Sequence, residues 1–459
     1  MEVVILAAGK GTRMFSTKPK VMHTLGGRPM LHRVVEAARA VDADGVHVVI
    51  GYGAEQIKTE FPIDSSETPI NWVSQEEQLG TGHAVQQTIS SLNTEDPDNT
   101  VVVLYGDVPL ITPETLTKLL DRADKSSLSL LTLLTTNNRG LGRIIRNELN
   151  SVIAIVEERD ATEQQKQITE VNSGIMAVPA LKLKEWLQSI NKANNQSEYY
   201  LTDIVALAAN EGCRINPLAI EDEFEVQGVN DKTQLALLER HLQMTNNAKL
   251  LEQGVTLRDP ARVDVRGELS CGKDVVIDVN VIFEGRVFIG DNVSIGANVI
   301  IKDSSIGDGS KILAGTNVDG AEIKKSTSIG PSARIRPGTV LNNNVKIGNF
   351  VETKNALIGE GSKANHLAYI GDAEIGEGCN IGAGTIFCNY DGANKHKTTL
   401  GNNVFIGSNT VLVAPLNIAD NAFVAAGSAI NCDVPNDSLA LARGKQRNIA
   451  GWKRPTKKN

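Results

Sequence analysis

At 459 residues the chain exceeds what one hydrophobic core organises, and 41% apolar with 22% charged residues exclude the disordered and fibrous classes, so two or more globular domains are expected. A formal charge of −8 excludes a broad phosphate-backbone footprint, so no nucleic-acid partner is expected and any basic site must be local. Aromatic residues, at 4%, are scarce, which points to cores of Val, Ile, Leu and Ala.

The opening, Met1-Glu2-Val3-Val4-Ile5-Leu6, has an acidic second residue and an apolar run too short for a signal peptide. No later stretch approaches membrane-spanning length, so a cytoplasmic protein with no membrane partner is expected. Up to about residue 230, short β-branched runs at 3–6, 46–50, 101–104 and 128–134 alternate with helical patterns and predict a Rossmann-like, mostly parallel α/β sheet. Residues 233–253 hold no Gly or Pro, Leu235, Leu238, Leu242 and Leu251 recur near helical spacing, and Gly254 supplies a stop. This predicts a linker helix between domains at 1–232 and 254–459.

Beyond Gly254, Ile277, Phe283, Ile289, Ile295 and Ile301 fall every sixth residue. Two further runs do the same, Ile323 to Ile347 through Ile329, Ile335 and Leu341, and Ile406 to Ile430 through Leu412, Ile418 and Val424. Such a repeat specifies a parallel β-helix, each aliphatic residue stacking inward on its counterpart one coil away. Six-residue faces predict triangular coils of eighteen. A β-sandwich alternates with period two and would not phase fifteen aliphatic residues this way. The phase is lost near 354–366 and near 389–399, where polar residues gather, and loops that break a repeat usually carry function. The five cysteines, Cys213, Cys271, Cys379, Cys388 and Cys432, are odd in number without Cys-x-x-Cys spacing, so free thiols are expected.

The chemistry-bearing motifs begin at Leu6-Ala7-Ala8-Gly9-Lys10-Gly11-Thr12-Arg13-Met14, followed by Lys20. Gly9 and Gly11 let backbone N–H groups close on phosphates, while Arg13 and Lys20 neutralise charge developing in phosphoryl transfer. The string lacks the third glycine of a dinucleotide fingerprint and the ending of a Walker loop. The segment from Gln75 to His83, with Gly80 and Thr81, suits a nucleobase edge. Tyr105-Gly106-Asp107 puts a carboxylate just past a buried strand, as a magnesium ligand or a turn cap. In the repeat, His366 is the side chain suited to take a proton in amine acylation, beside Arg336, Lys354, Tyr369, Asn380, Asn389-Tyr390 and Lys395. The segment from Arg443 to the end holds seven basic residues and no acidic one, a solvated tail in the simplest reading.

These motifs, across the whole chain, resemble the bacterial bifunctional N-acetylglucosamine-1-phosphate uridylyltransferase and glucosamine-1-phosphate N-acetyltransferase family. The resemblance implies that the β-helix is left-handed. It implies that Leu6, Ala7, Ala8, Gly9, Lys20, Gln75, Gly80, Thr81, Tyr105, Gly106 and Asp107 hold the uridine nucleotide, and that Gly142, Glu157, Asn172 and Asn230 complete a UDP-N-acetylglucosamine site. Arg13 and Lys20 then act on the phosphates, and Asp107 and Asn230 bind Mg²⁺. In the second half His366 is the implied base. Arg336, Lys354, Tyr369 and Asn380 hold glucosamine-1-phosphate, and Ala383, Asn389, Tyr390, Ser408, Ala426 and Arg443 line the acetyl-CoA site. UTP and acetyl-CoA are the implied co-substrates, and a homotrimer the implied assembly. One local variation is Asn365, where a small residue such as Gly is expected before the histidine. The competing expectation is a single-activity sugar-nucleotide pyrophosphorylase whose β-helix only oligomerises, and a non-enzymatic scaffold is a third.

Overall fold

The computed structural model describes residues 1–61 and 68–455. Two compact units meet in sequence at Leu242 and Gln243, inside the helix Lys232–Glu252. Gly254, at φ 90°, ends that helix in the left-handed region where a side chain is strained.

In the first unit the strand Glu2–Leu6 carries Val3, Val4 and Ile5, all fully buried, because strands pair on both edges and helices cover both faces. The sheet runs Arg214–Ile220, Ser127–Leu134, Glu170–Pro179, Thr100–Tyr105, Glu2–Leu6, Gly45–Ile50 and Ile70–Ser74. Along this path it is parallel except for Glu170–Pro179, antiparallel to both neighbours there, and two further antiparallel strands, Arg143–Arg146 and Val152–Val156, branch from it; the apolar runs alone did not distinguish this. From Glu2–Leu6 the chain builds one way to Gly45–Ile50 and then returns to the other side at Thr100–Tyr105. The crevice beyond the carboxyl ends of these two central strands is therefore a topological switch point, the place where open α/β sheets bind ligands. The expected Rossmann-like fold is borne out.

The second unit is a parallel β-helix, also as expected. All fifteen six-periodic aliphatic and aromatic residues are buried and register with a counterpart on a neighbouring coil, as in Ile277 with Ile295 and Ile406 with Val424. Most of its strands are two or three residues long, too short to persist on backbone hydrogen bonds alone. Each buried Ile or Val contributes roughly 1.5–3 kcal/mol, so the inner stack holds the coils together. The expected eighteen-residue coil holds only in part. Ile277 pairs with Ile295 eighteen residues on, whereas Ile312 pairs with Ile329 and Ile347 with Ala364 at seventeen, one face being a residue shorter. The shortened face, and not an interruption, accounts for the lost phase at 354–366. The break at 389–399 is real: Ile375 pairs with Leu400, twenty-five residues on. Coil corners place Asn280, Asn298, Asn403 and Asn421 at positive φ, which Asn tolerates better than most residues. Their amides hydrogen-bond up the stack, Asn280 to Asn298 at 3.0 Å.

The helix Lys232–Glu252 has two different inner faces. In the first unit Leu238 and Leu242 pack with Met14, Leu25 and Met30. In the second, Gln243 and Asn247 are fully buried, and Gln243 donates to the Val265 carbonyl at 2.9 Å and accepts from its N–H at 2.7 Å. Asn247 donates to the Val263 carbonyl at 2.8 Å. These amides satisfy the outer edge of the first long strand, Val263–Cys271, which would otherwise be an open template. Leu250 joins the solenoid core while Leu251 is exposed, so the register of the apolar residues changes along the helix.

Candidate active sites

In the first unit the expected nucleotide residues come together. Leu6, Ala7, Ala8, Gly9, Lys20, Gln75, Gly80, Thr81, Tyr105 and Asp107 line one cavity of about 330 Å³, with Gln78, Glu198 and others. The first strand delivers the loop by sheet bonding that continues past its end: Ala7 N–H donates to the Val49 carbonyl at 2.9 Å, and Gly106 N–H to the Leu6 carbonyl at 2.9 Å. Gly11, at φ 58°, is needed because a Cβ there would lie 2.6 Å from Cβ of Lys20. Gly80, at φ 115°, sits where a Cβ would lie 2.5 Å from the Tyr199 carbonyl oxygen.

A second cavity of about 620 Å³ is lined by Arg13, Tyr105, Asp107, Asn172, Gly228, Asn230 and others. Tyr105 and Asp107 line both, so the two spaces meet at the end of Thr100–Tyr105. The Lys20 ammonium contacts the Asp107 carboxylate and lies 3.4 Å from Oδ1 of Asn230, which also accepts from Arg13 at 3.0 Å. Asp107 is thus in contact with Lys20. Asp107 and Asn230 converge on one ammonium, a point of positive charge, and both offer hard oxygens of the kind Mg²⁺ prefers. Among the described residues no group of three His, Cys, Asp or Glu side chains forms a metal cluster, so an ion held here would draw its other ligands from phosphate and water.

Glu157, Asn172 and Gly142 also approach one another. The N–H of Asn172 donates to the Gly142 carbonyl at 2.8 Å, and a Cβ on Gly142 would lie 3.5 Å from the Glu157 carboxylate. Arg143, almost fully buried, pairs with Glu158 at 2.6 Å and ties the Gly142 turn to the strand end that carries Glu157. Burial raises the Glu157 carboxyl above the usual range, opposed by the Thr202 hydroxyl donating at 2.9 Å and helped by Asp203 and Asp160. Burial likewise raises the Tyr105 phenol, with Glu157 and Asp107 adding to the rise.

In the second unit His366 is exposed at the end of the strand Lys363–His366, paired in register with Asn349. Its Nδ1 lies 2.9 Å from Oδ1 of Asn349, so Nδ1 carries the hydrogen and donates, leaving a lone pair on Nε2. Asn349 is a positioning partner that sequence reasoning missed, its only signal being its place seventeen residues before His366. The same corner continues down the stack: Gly384 N–H donates to the Leu367 carbonyl at 2.8 Å, Asn409 N–H to Ala383 at 2.7 Å, and Gly427 N–H to Ser408 at 2.8 Å. Arg443 reaches back to the Ala426 carbonyl at 2.9 Å. His366, Ala383, Ser408, Ala426 and Arg443 therefore share one column along the solenoid, with small side chains below the histidine.

Arg336, Lys354 and Tyr369 belong to the neighbouring corner and face. Arg336 pairs with Glu352 at 2.7 Å, and Glu352 registers with Tyr369. The long coil brings Lys395 to Lys354, and the hydrogen bond and like charge of Lys395 push Lys354 below the usual lysine range. The Asp372 carboxylate partly offsets this, so the two lysines stand near one acidic group. Asn389, nearly buried, contacts Asp372 and lies 3.4 Å from the Tyr369 hydroxyl. Tyr390 is exposed and donates to the Gly392 carbonyl at 2.6 Å. Asp391 clamps the loop through the N–H of Asn394, the His396 ring and the N–H of Ala393, which together hold its carboxyl far below the usual range. Asn380 is not brought to this cluster; it stands in the eleven-stranded sheet, in register with Lys363 and Phe405. All five cysteines are free. Of the basic tail, Lys457 and Lys458 lie outside the described residues.

The MobA-like NTP transferase domain model matches residues 3–177, and the GMPPB C-terminal domain model matches 317–428. Curated relatives align along the entire chain. The bifunctional protein GlmU of Marinobacter nauticus is 54% identical over 100% of this chain and 99% of its own length. Those of Stutzerimonas stutzeri and Pseudomonas putida are each 52% identical over 100% of this chain and 99–100% of theirs. With identity of this level from end to end, the chain belongs to the family of the bifunctional protein GlmU.

Proposed function

We propose that this enzyme makes UDP-N-acetylglucosamine in two steps, acetylating glucosamine-1-phosphate in the β-helix and uridylylating the product in the α/β unit. The observation that carries the uridylyl half is the seam at Asp107, where a nucleotide-sized cavity and a larger polar one adjoin beside Arg13, Lys20 and Asn230. A phosphate oxygen of N-acetylglucosamine-1-phosphate attacks the α-phosphorus of UTP, a new P–O bond forms, and pyrophosphate departs. Arg13 and Lys20 offset the charge gathering on the phosphoryl oxygens, while the Leu6–Gly9 backbone, Gln75, Gly80 and Thr81 orient the nucleotide. Asp107 and Asn230 are the residues that would hold Mg²⁺, which supplies charge neutralisation at the transferring phosphate when bound. Gly142, Glu157 and Asn172 receive the sugar.

In the acetyl half, Arg336, Lys354, Tyr369 and Lys395 fix the phosphate of glucosamine-1-phosphate. The amine attacks the thioester carbonyl of acetyl-CoA, Nε2 of His366 takes the amine proton, and the coenzyme leaves as its thiol. Ala383, Ser408 and Ala426 leave room for the cofactor along their column, with Asn389, Tyr390 and Arg443 at its margins. The assembly we infer is a homotrimer and the compartment the cytoplasm. Among the described residues no helix is long and apolar enough to cross a membrane.

The test uses the full chain and both half-reactions. His366→Ala is expected to lower acetyl transfer by at least about a hundredfold, the usual worth of a general base, and to leave uridylyl transfer within about twofold. Asp107→Ala is expected to do the reverse. A wild-type chain that transfers uridylyl but never acetyl groups would instead support the pyrophosphorylase with a passive β-helix.

A further inference from the structure

Beside the nucleotide cavity, Gln75 is held in a part-buried network whose other members, His83 and Gln87, have no role in the chemistry above. Gln75 is 3% exposed and lines the cavity. Its Nε2 lies 3.3 Å from the Gly80 carbonyl and 3.0 Å from Nδ1 of His83. On the other side of the ring, the Gln87 amide lies 3.1 Å from Nε2 of His83 and 3.3 Å from the His83 carbonyl. The His83 ring stacks on Tyr199 at 6.2 Å, which holds its plane.

A neutral imidazole has one lone pair and one N–H, so it accepts from only one of the two glutamines and donates to the other. Reversing Gln75 would set its oxygen against the Gly80 carbonyl away from water, a buried clash of acceptors. Reversing the half-exposed Gln87 costs one weak bond that water replaces. Gln75 therefore keeps its NH₂ on Gly80 and Nδ1, both of its hydrogens are used, and its oxygen is the end left for the cavity. His83 donates through Nε2–H to the oxygen of Gln87.

We propose that His83 is a positioning residue for nucleobase selection: its Nδ1 lone pair holds the Gln75 carboxamide with the oxygen toward the cavity, which favours a base bearing an N–H on its pairing edge. Uracil presents N3–H there, whereas N3 of cytosine is a lone pair that an oxygen repels. This inference rests on the reading of the cavity as a uridine-nucleotide site.

The readout is the ratio of kcat/KM for UTP over CTP in the full-length protein with saturating N-acetylglucosamine-1-phosphate, a ratio in which the equal charge of the two nucleotides cancels. His83→Leu, which removes both ring nitrogens, is expected to lower the ratio about tenfold, the worth of one such hydrogen bond, chiefly through KM for UTP. His83→Asn returns an acceptor near the position of Nδ1 and is expected to keep the ratio within about threefold. Should His83→Leu fail to fold, Gln87 decides. Gln87→Glu, an obligate acceptor, keeps the wild-type preference. Gln87→Lys, an obligate donor, takes the lone pair at Nε2, turns Gln75 round and lowers the ratio. An unchanged ratio in folded His83→Leu, equal shifts in the two Gln87 variants, or a wild type that uses CTP as readily as UTP overturns the inference. A wild type with no UTP turnover overturns the uridylyl reading itself.

Discussion

Glu157 illustrates how a residue proposed to bind the sugar is held at a cost to the fold. Burial raises its carboxyl above the ordinary 4.5, so the folded state takes up a proton that the unfolded chain releases. The sign follows: the cost is absent well below pH 4.5, grows as pH rises through the interval between the unfolded and folded values, and is complete above the folded one. Glu157→Gln removes the charge and can still accept from Thr202. Its thermal midpoint should therefore match wild type near pH 3 and exceed it at pH 8, while its KM for N-acetylglucosamine-1-phosphate rises. A midpoint lowered at pH 8 would mean that the carboxylate stabilises the fold. Asp107 shows the limit of reading such residues from sequence. A strand followed by Gly-Asp fits a ligand or a turn equally well, and the contact with Lys20, eighty-seven residues away, is one that no local spacing announces.

At the scale of elements, the β-helix was legible because inward stacking demands one aliphatic residue per face, and that demand is printed every six residues. The shorter seventeen-residue coils were not, since dropping one residue from a face shifts the phase while leaving every inner contact intact, as Ile312 over Ile329 demonstrates. The antiparallel strand Glu170–Pro179 was equally hidden: buried on both faces, it reads as the same apolar run in either direction. The approach of Lys395 to Lys354 depends on a loop whose path no periodicity sets. That loop is separable from the core. Deleting residues 389–396 would return the spacing of Ile375 and Leu400 from twenty-five to the seventeen of the preceding coils. The shortened protein should keep its far-UV circular dichroism and uridylyl transfer and lose acetyl transfer. Retained acetylation would remove Asn389, Tyr390 and Lys395 from the site.

For the whole molecule, the chain reads as two bodies with separate chemistry on one polypeptide. The inferred trimer makes a distinction that a single point variant cannot. If acetyl-CoA is bound where neighbouring β-helices meet, subunit dissociation removes part of that site and leaves the switch-point crevice untouched. Specific acetyl transfer should then fall on dilution below the dissociation range while uridylyl transfer per subunit stays constant, with mass photometry following the assembly. Parallel loss of both activities, or constancy of both across the dissociation, would argue against a shared acetyl site.

The amides of Gln243 and Asn247 give the solenoid one fastened end, and among the described residues its other end has no such closure: Leu439–Ala440, the last strand there, pairs with Phe423–Val424 alone. A stack in which every layer leans solely on its neighbours unravels like a zipper, starting from the side that is not pinned. Ser408, Ala426 and Arg443 stand among those final layers. On gentle warming, then, the layers proposed to grip the thioester donor loosen while the bulk of the spring is still wound.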